Sequence, residues 1–383
     1  MLIVKLLIGT HPVYKDLLQY PPTGIKYDSN VSLDEFEKFS VYSPNKRLIR
    51  KIITTVQNSI HIPRMTYVLN NKYDYIYSTR GILIINKIPW IVDFEHATHF
   101  VGLNQYGLDN NISKRIIEKM LLSKYCKRLI PHSNAAWITF KNVFKNKLLE
   151  NKMEIIYPTI QPTKLIRKTN QDETTFIFNG RYKDKFGEYV LKTFIALTKE
   201  YKKINLLFIS DTPLDIIQYY RKRICSKQNT IKFITMGPQI SRQSLIDNYY
   251  MNSDILLYPS QAETYANILL LGMNAALPII CPDSYMFPEM VINEKNGFLI
   301  HSNISKVKLD FPRRKLDWNM ILYLTNKNKD EFIKQMIQKS KILLNDKSLL
   351  NRIGKQNRIL IESGKFAISE RNNKLSRIFQ KDT

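Results

Sequence analysis

The chain has 383 residues, enough for two domains or one large one. Apolar residues make up 44% of it and aromatics 11%, so cores can be filled and a disordered chain is excluded. With 58 Lys+Arg against 33 Asp+Glu, the net charge of +25 suits nucleic acid, an anionic membrane surface or phosphate-bearing substrates, and selects none of them over a plain Lys-rich surface.

The first predicted element is a buried strand, LIVKLLIG (2–9). The start of the chain, MLIVKLLIGTHP, is interrupted by Lys5 and lacks a small-residue cleavage site, so it reads as a strand and not as a signal peptide. Residues 45–57 have a helical period, with Leu48, Ile49, Ile52, Ile53 and Val56 on one arc and Lys46, Arg47, Arg50 and Lys51 on the other. Such a helix either contacts an anionic membrane or packs its apolar side on a sheet, and the second is favoured. TYVLN, YDYIYS, ILIIN and PWIVDFEH then read as strands, 112–128 as a helix, and RLIPHSN as strand followed by turn. YPTIQPT (157–163), with two prolines and two threonines, reads as a linker.

Beyond it, strands and helices alternate: TTFIFNGR, helix 187–200, NLLFIS (205–210), helix 214–224, TIKFITMG (230–237), helix 241–251, SDILLYPS, helix 265–276 and PIICP. This alternation is the mark of a doubly wound parallel sheet. The tail, 327–383, is helical with a break at Ser363-Gly364 and a docking stripe of Leu375, Ile378 and Phe379. No apolar run approaches the ~18 residues of a membrane span. Cys126, Cys225 and Cys281 sit at no metal-ligand spacing and make a poor disulfide framework, which suits a reducing compartment. The six histidines form no HExxH site.

Ligands of parallel sheets bind at the carboxyl ends of the strands, and three stretches of the second half fall there. Asn179-Gly180-Arg181-Tyr182-Lys183-Asp184-Lys185-Phe186-Gly187 follows FIF: glycines permit a tight turn, and Arg and Lys pair with a diphosphate. A merely basic β–α turn has the same composition. Met236-Gly237-Pro238 follows IKFIT, where a glycine lets the backbone approach a flat base or simply turns the chain. The third is LLYPSQAETYANILLLGMNAALPIICPD. Glu263 precedes a helix whose first N–H groups, near Tyr265, Ala266 and Asn267, form an anion site. Its carboxylate suits sugar hydroxyls, or else it only stabilises the helix start.

This last stretch resembles the signature of the family 4 retaining glycosyltransferases: Pro-Ser-x-x-Glu, an aromatic in a small-residue turn, a helix, a second Glu eight residues on, then Met, Gly and a Pro-Val-Ile strand. The match falls on Pro259, Ser260, Glu263, Tyr265, Met273, Leu277, Pro278, Ile279 and Ile280. Pro288-Glu289-Met290-Val291 and Asn296-Gly297-Phe298-Leu299-Ile300 resemble further family elements, as do Gly180-Arg181 and Lys185-x-Gly187. In the first half the similarity is thinner, at DFEH (93–96) and PHSNAA (131–136), and the tail GKFAISERNNKL resembles the family's final helix. Leu271 stands where the second Glu belongs, Ala276 where a Gly is usual, and Thr264 and Ala266 replace turn glycines.

The resemblance implies an α/β chain of the GT-B fold, with two Rossmann-like doubly wound domains facing a cleft. The expected division is 1–160 for the acceptor, 161–363 for the donor, and 364–383 as a helix crossing back to the first domain. It implies retaining transfer of a sugar from a nucleotide-sugar co-substrate, with no metal or other cofactor. Arg181 and Lys185 would take the diphosphate, Glu263 the sugar, and His96 the reacting end. Gly180, Lys183, Met236, Gly237, Thr264, Tyr265, Ala266 and Asn267 would complete the donor site, and His11 would line the acceptor side. A strand-end His capping a turn is the plainer account of His96. In the family the second Glu holds the ribose, which Leu271 cannot do. The expected acceptor is a glycan, polysaccharide or lipid-linked sugar, and the expected place is the cytoplasm or its membrane face. A degenerate sugar-nucleotide binder and a basic nucleic-acid-binding protein are the rival classes; the second lacks a zinc finger, RNP strand or helix-turn-helix.

Overall fold

The computed structural model describes residues 1–38, 62–69, 72–103, 107–165, 167, 172–224, 227–236, 240–306 and 322–380. The helix predicted over 45–57, the glycine at Gly237 and the thiol of Cys225 lie outside the described residues. The chain divides into two compact units, Met1–Thr159 with Lys365–Thr383, and Ile160–Val307 with Ile321–Gly364.

The first unit is built on strands β1 (Leu2–Leu7), β2 (Ile25–Ser29), β4 (Tyr75–Ser78), β6 (Trp90–Phe94) and β7 (Cys126–Pro131), in the order β2-β1-β4-β6-β7. Every pairing is parallel. Two short strands, β3 (Met65–Thr66) and β5 (Leu83–Ile84), pair separately. All residues of β4 and β6 are buried, as expected of central parallel strands covered on both faces. Helix α1 (Asn111–Leu122) lays Ile117 and Leu121 into the core, and α2 (Asn134–Val143) adds Phe140. Ser133 caps α2 by accepting the Ala136 N–H at 2.9 Å.

The helix predicted over 112–128 therefore stops six residues early. Lys152 supplies the reason: its ammonium donates to the carbonyls of Leu121, Ser123 and Cys126 at 2.8, 2.9 and 2.7 Å. A distant side chain thus satisfies carbonyls that a longer helix would have satisfied itself.

The second unit carries six parallel strands: β8 (Thr174–Asn179), β9 (Ile204–Ser210), β10 (Thr230–Thr235), β11 (Ile255–Leu257), β12 (Ile279–Pro282) and β13 (Gly297–Ile300). Their order, β10-β9-β8-β11-β12-β13, is that of a Rossmann sheet, with its switch point between β8 and β11. Helices α3 (Gly187–Leu197), α4 (Leu214–Arg221), α5 (Asn267–Asn274), α6 (Lys329–Asn345) and α7 (Lys347–Glu362) accompany it. The core gathers Phe176, Phe178, Phe194 and Phe208 with Met336 and Ile353. A Cβ on Gly272 would meet the Leu256 Cδ2 at 2.6 Å, so that glycine lets α5 settle directly on β11.

The regular helix predicted over 241–251 is instead one α-turn, a π-helical stretch over Leu245–Tyr249 and a 3-10 turn over Tyr250–Asn252. Side chains compete for its carbonyls: Asn252 Nδ2 donates to Asp247 O at 3.2 Å and Asn248 O at 3.1 Å, and Ser253 Oγ donates to Tyr249 O at 2.7 Å.

The final helix, α8 (Ile368–Gln380), returns to the first unit. Its Arg371 donates to Thr159 Oγ1 at 3.0 Å and to the Tyr20 carbonyl at 2.5 Å, and Phe379 packs edge-on against Tyr75. Among the described residues, no helix is long and apolar enough to cross a membrane.

Candidate functional site

The second unit's crevice opens where β8 and β11 diverge, and each strand contributes one charged side chain to it. The loop after β8 turns at Gly180, whose N–H donates to Ile209 O at 3.1 Å. A Cβ on Gly180 would sit 3.0 Å from both Cβ and Cγ of Lys185, so the lysine stem folds over the glycine. Phe186 takes a left-handed backbone (φ 55°) and starts α3. Tyr182 is tied by its N–H to Asp211 Oδ1 at 2.6 Å. These constraints aim Lys185 across the crevice, where its ammonium meets the Glu263 carboxylate.

Glu263 lies on the loop after β11. Its Oε1 accepts from Lys185, from the Tyr258 hydroxyl at 3.0 Å and from Ser260 Oγ at 2.8 Å. Burial, and then the Glu263 charge, push the Tyr258 phenol well above its ordinary pKa, so it stays a donor. Buried Gln261 fixes the loop. Its Nε2 donates to Pro259 O at 2.8 Å, its Oε1 accepts from Ser302 Oγ at 2.6 Å, and its carbonyl accepts from Ser284 Oγ at 2.7 Å. Three loops, after β11, β12 and β13, are thereby joined beneath Glu263.

Helix α5 begins just beyond, and Ala266 at its N-cap offers no side-chain hydrogen bond. The first-turn amides and helix dipole present positive potential there. Tyr265 and Ala266 are buried, while Thr264 and Asn267 are half-buried. The ensemble offers a cation, a fixed carboxylate and a helix start on one crevice. Those are the elements needed to hold a phosphate beside a polyhydroxylated group.

Other predicted residues spread away from this point. Arg181 pairs with Asp184 at 2.8 Å and is 63% exposed, so it lies at the rim. Lys183 is exposed. Met236, 37% exposed, follows β10, two strands from β8, or about 10 Å at ordinary strand spacing. Leu271 is 3% exposed on α5, buried as an apolar residue should be. Sequence reasoning missed Tyr258 and Gln261. Tyr258 stood at the head of the motif as one more apolar strand residue, and Gln261 occupies an unspecified motif position, so neither carried a signal.

In the first unit, both predicted histidines cap turns. His96 Nδ1 accepts the Thr98 N–H at 3.1 Å, and His11 Nδ1 accepts the Val13 N–H at 3.4 Å. A strand-end His capping a turn describes His96 as it stands. Behind it, His132 Nε2 is 3.4 Å from Asp93 Oδ2, and its Nδ1 is 3.8 Å from Glu95 Oε1. The imidazole thus lies between two carboxylates that strand alternation places on a common face. His99 is buried, and burial foremost holds it well below its ordinary pKa, as a neutral ring.

Two Rossmann units with a final helix returned to the first define a protein of the GT-B class. Residues 173–307 match the family described as Glycosyl transferases group 1. An uncharacterized glycosyltransferase of Methanocaldococcus jannaschii is 22% identical over 289 residues, covering 66% of this chain and 72% of that one. The sucrose-phosphate synthase of Thermosynechococcus elongatus superposes with a TM-score of 0.62 at 12% identity, covering 100% of this chain and 99% of that one. HepE of Anabaena superposes at 0.55 and 12%, with full coverage of both. The chain is a glycosyltransferase of the GT-B fold, and its domain at 173–307 carries the likeness to glycosyl transferases group 1.

Proposed function

We propose that the chain transfers a sugar from a nucleotide-sugar donor to a glycan, polysaccharide or lipid-linked acceptor, with retention of anomeric configuration and without a bound metal. The observation that carries this is the Lys185–Glu263 pair at the β8/β11 switch point, beside the start of α5. In the free protein the two charges satisfy each other. With donor bound, the diphosphate takes Lys185 and the α5 amides, and Glu263 accepts from sugar hydroxyls. Negative charge then develops on the leaving phosphate beside a cation and a helix dipole already in place, which is where electrostatic catalysis acts. Met236 would meet the base, Arg181 would act from the rim, His96 would face the reacting end and His11 the acceptor.

Retention is supported by the likeness of Pro259 to Ile280 to the family 4 signature. A nucleotide-sugar donor is supported by HepE, whose crystal structures hold UDP, UDP with glucose, and UDP-glucose. A reducing, cytoplasmic setting is supported by Cys126 and Cys281, both buried thiols outside any disulfide. The cationic surface suits an anionic membrane face where a lipid-linked acceptor would be presented.

A thermal-shift screen with UDP-, GDP- and ADP-sugars, each against its bare nucleotide, tests the donor site. One nucleotide sugar should stabilise the protein more than its nucleotide does, and Lys185→Ala should abolish the difference. No response to any of them would overturn the assignment. Buried Leu271 favours a second reading, a sugar-nucleotide binder without turnover: binding in the screen with neither transfer nor donor hydrolysis would establish it.

A further inference from the structure

The first unit has a switch point of its own. In the order β2-β1-β4-β6-β7 the chain reverses between β1 and β4, so a crevice opens at their carboxyl ends. Asp93, near the end of β6, closes it from beneath. Its Oδ1 accepts the Tyr14 hydroxyl at 3.0 Å and the Arg80 N–H at 2.9 Å, and its carbonyl accepts the Gly81 N–H at 2.9 Å. Gly81 cannot be replaced there: its φ is +69° and a Cβ would meet the His99 carbonyl carbon at 2.7 Å. Tyr14 comes from the loop after β1, Arg80 from the loop after β4, and His132 from the turn after β7. Four strand ends thus converge on one carboxylate.

That carboxylate is fully buried, and Oδ2 has no hydrogen-bond partner among the described residues. A buried charge without a counter-charge is costly, and His132 Nε2, at 3.4 Å, is the group that supplies one. A cavity of about 20 Å³ adjoins the pair, lined among others by Tyr77, Thr159 and Arg371. It has room for one water to complete the solvation of the pair.

We propose that Asp93 and His132 are the positioning residues of this edge: the carboxylate gathers the loops after β1, β4 and β7, and the imidazolium holds the carboxylate in place. This rests on the reading above that the first unit presents the acceptor, since His11 lies in the gathered loop after β1 and His96 follows Asp93 by three residues. Neither residue touches the reacting atoms; each acts through the loops it holds.

The electrostatics agree in sign. Burial alone would lower the His132 pKa, but the charges of Asp93, foremost, and of Glu95 outweigh it and the repulsion of Arg80, so the value is raised. Tyr14 and Tyr77 face the cluster as neutral phenols, pushed up first by burial. His99 is neutral, and Arg371 brings a further buried cation to the cavity. Because His132 binds its proton more tightly folded than unfolded, the pair's support is complete below about pH 6.5. It is lost as pH rises through the raised folded value. Above that pH the loops after β1 and β4 should loosen together.

Imidazole NMR titration of the full chain, with amide exchange at Arg80 and Gly81, tests this. His132→Gln assigns the signal; Asp93→Asn keeps the shape and both accepted hydrogen bonds while removing the charge. In the wild type one histidine should titrate above about 6.5, and Asp93→Asn should lower that value by more than about one pH unit. Protection of the Arg80 and Gly81 amides, corrected for intrinsic exchange, should fall about tenfold as the wild type passes its His132 midpoint. In His132→Gln it should be low at every pH. A His132 titration unmoved by Asp93→Asn, or equal protection in His132→Gln and wild type, would overturn the proposal. If His132→Gln does not fold, the Asp93→Asn comparison still decides, because a single histidine must move. Neither measurement uses a sugar nucleotide, so its failure is distinct from failure of the donor screen.

Discussion

Each Rossmann unit places a carboxylate and a cation at the carboxyl ends of its strands, and the two pairs behave oppositely. In the second unit, the side chains of Lys185 and Glu263 are 23% and 15% exposed. In the first, those of His132 and Asp93 are 4% and 1% exposed. A pair that water reaches holds its geometry weakly, at about 0–1 kcal/mol, so a ligand can take one partner away. A pair sealed from water cannot be opened without stranding a charge, at about 3–5 kcal/mol when one partner is removed. The contrast separates a binding pair from a holding pair, though both join a carboxylate to a cation at strand carboxyl ends.

The sharpest way to break this contrast is to delete one carboxylate from each unit. Asp93→Ala should destabilise the first unit by about 3–5 kcal/mol, because Tyr14, Arg80 and His132 all lose their acceptor or counter-charge. Chemical denaturation would read it, and a loss under about 1 kcal/mol would mean the pair holds nothing. Glu263→Ala should cost less in folding, about 1–3 kcal/mol, since it leaves the buried Tyr258 and Ser260 hydroxyls without their acceptor but strands no sealed charge.

Lys185→Ala reverses the pattern. Its melting temperature should stay near that of the wild type, while turnover of the donor found in the screen falls about 10²–10³-fold, the usual scale for losing one group that stabilises developing charge. A large loss of stability with unchanged kcat would make Lys185 a structural residue. Gly180→Ala is a milder version. Its Cβ would press on the Lys185 stem from 3.0 Å, displacing the ammonium, so donor affinity should weaken about tenfold with little change in melting.

The same contrast explains what the sequence discloses. The second unit's site is carried by two short runs, Gly180 to Gly187 and Pro259 to Asn267, each beginning where a strand ends. Local pattern is enough to find them, and alternation is enough to find the sheet. That Lys185 and Glu263 meet was not legible, because it depends on a strand order that no local window contains. In the first unit the hub joins residues 14, 80, 93 and 132, each ordinary in its own neighbourhood. DFEH drew notice to His96, which caps a turn, when the buried centre was the Asp three residues before it. The helix ends fail for a like reason: Lys152 stops α1 from thirty residues away, which periodicity cannot foresee.

The smallest effect concerns a departure from the family pattern that leaves the site untouched. Ala276, where the resembling sequences carry Gly, has a left-handed backbone with φ 56°. An L-residue there costs about 1–2 kcal/mol, partly offset because glycine has more freedom to lose on folding. Ala276→Gly should therefore stabilise the second unit by about 0.5–1 kcal/mol, seen as a rise of a few degrees in melting. The neighbouring constraint runs the other way. A Cβ on Gly354 of α7 would lie 2.1 Å from the Ala276 carbonyl oxygen, so Gly354→Ala must push α7 off this turn and should destabilise by more than Ala276→Gly gains. Both changes act on the turn that follows α5, away from its first turn, so nucleotide-sugar binding should follow neither. If Ala276→Gly altered donor affinity as well as stability, α5 would be transmitting strain along its length, and the division between holding and binding residues would have to be redrawn inside the second unit.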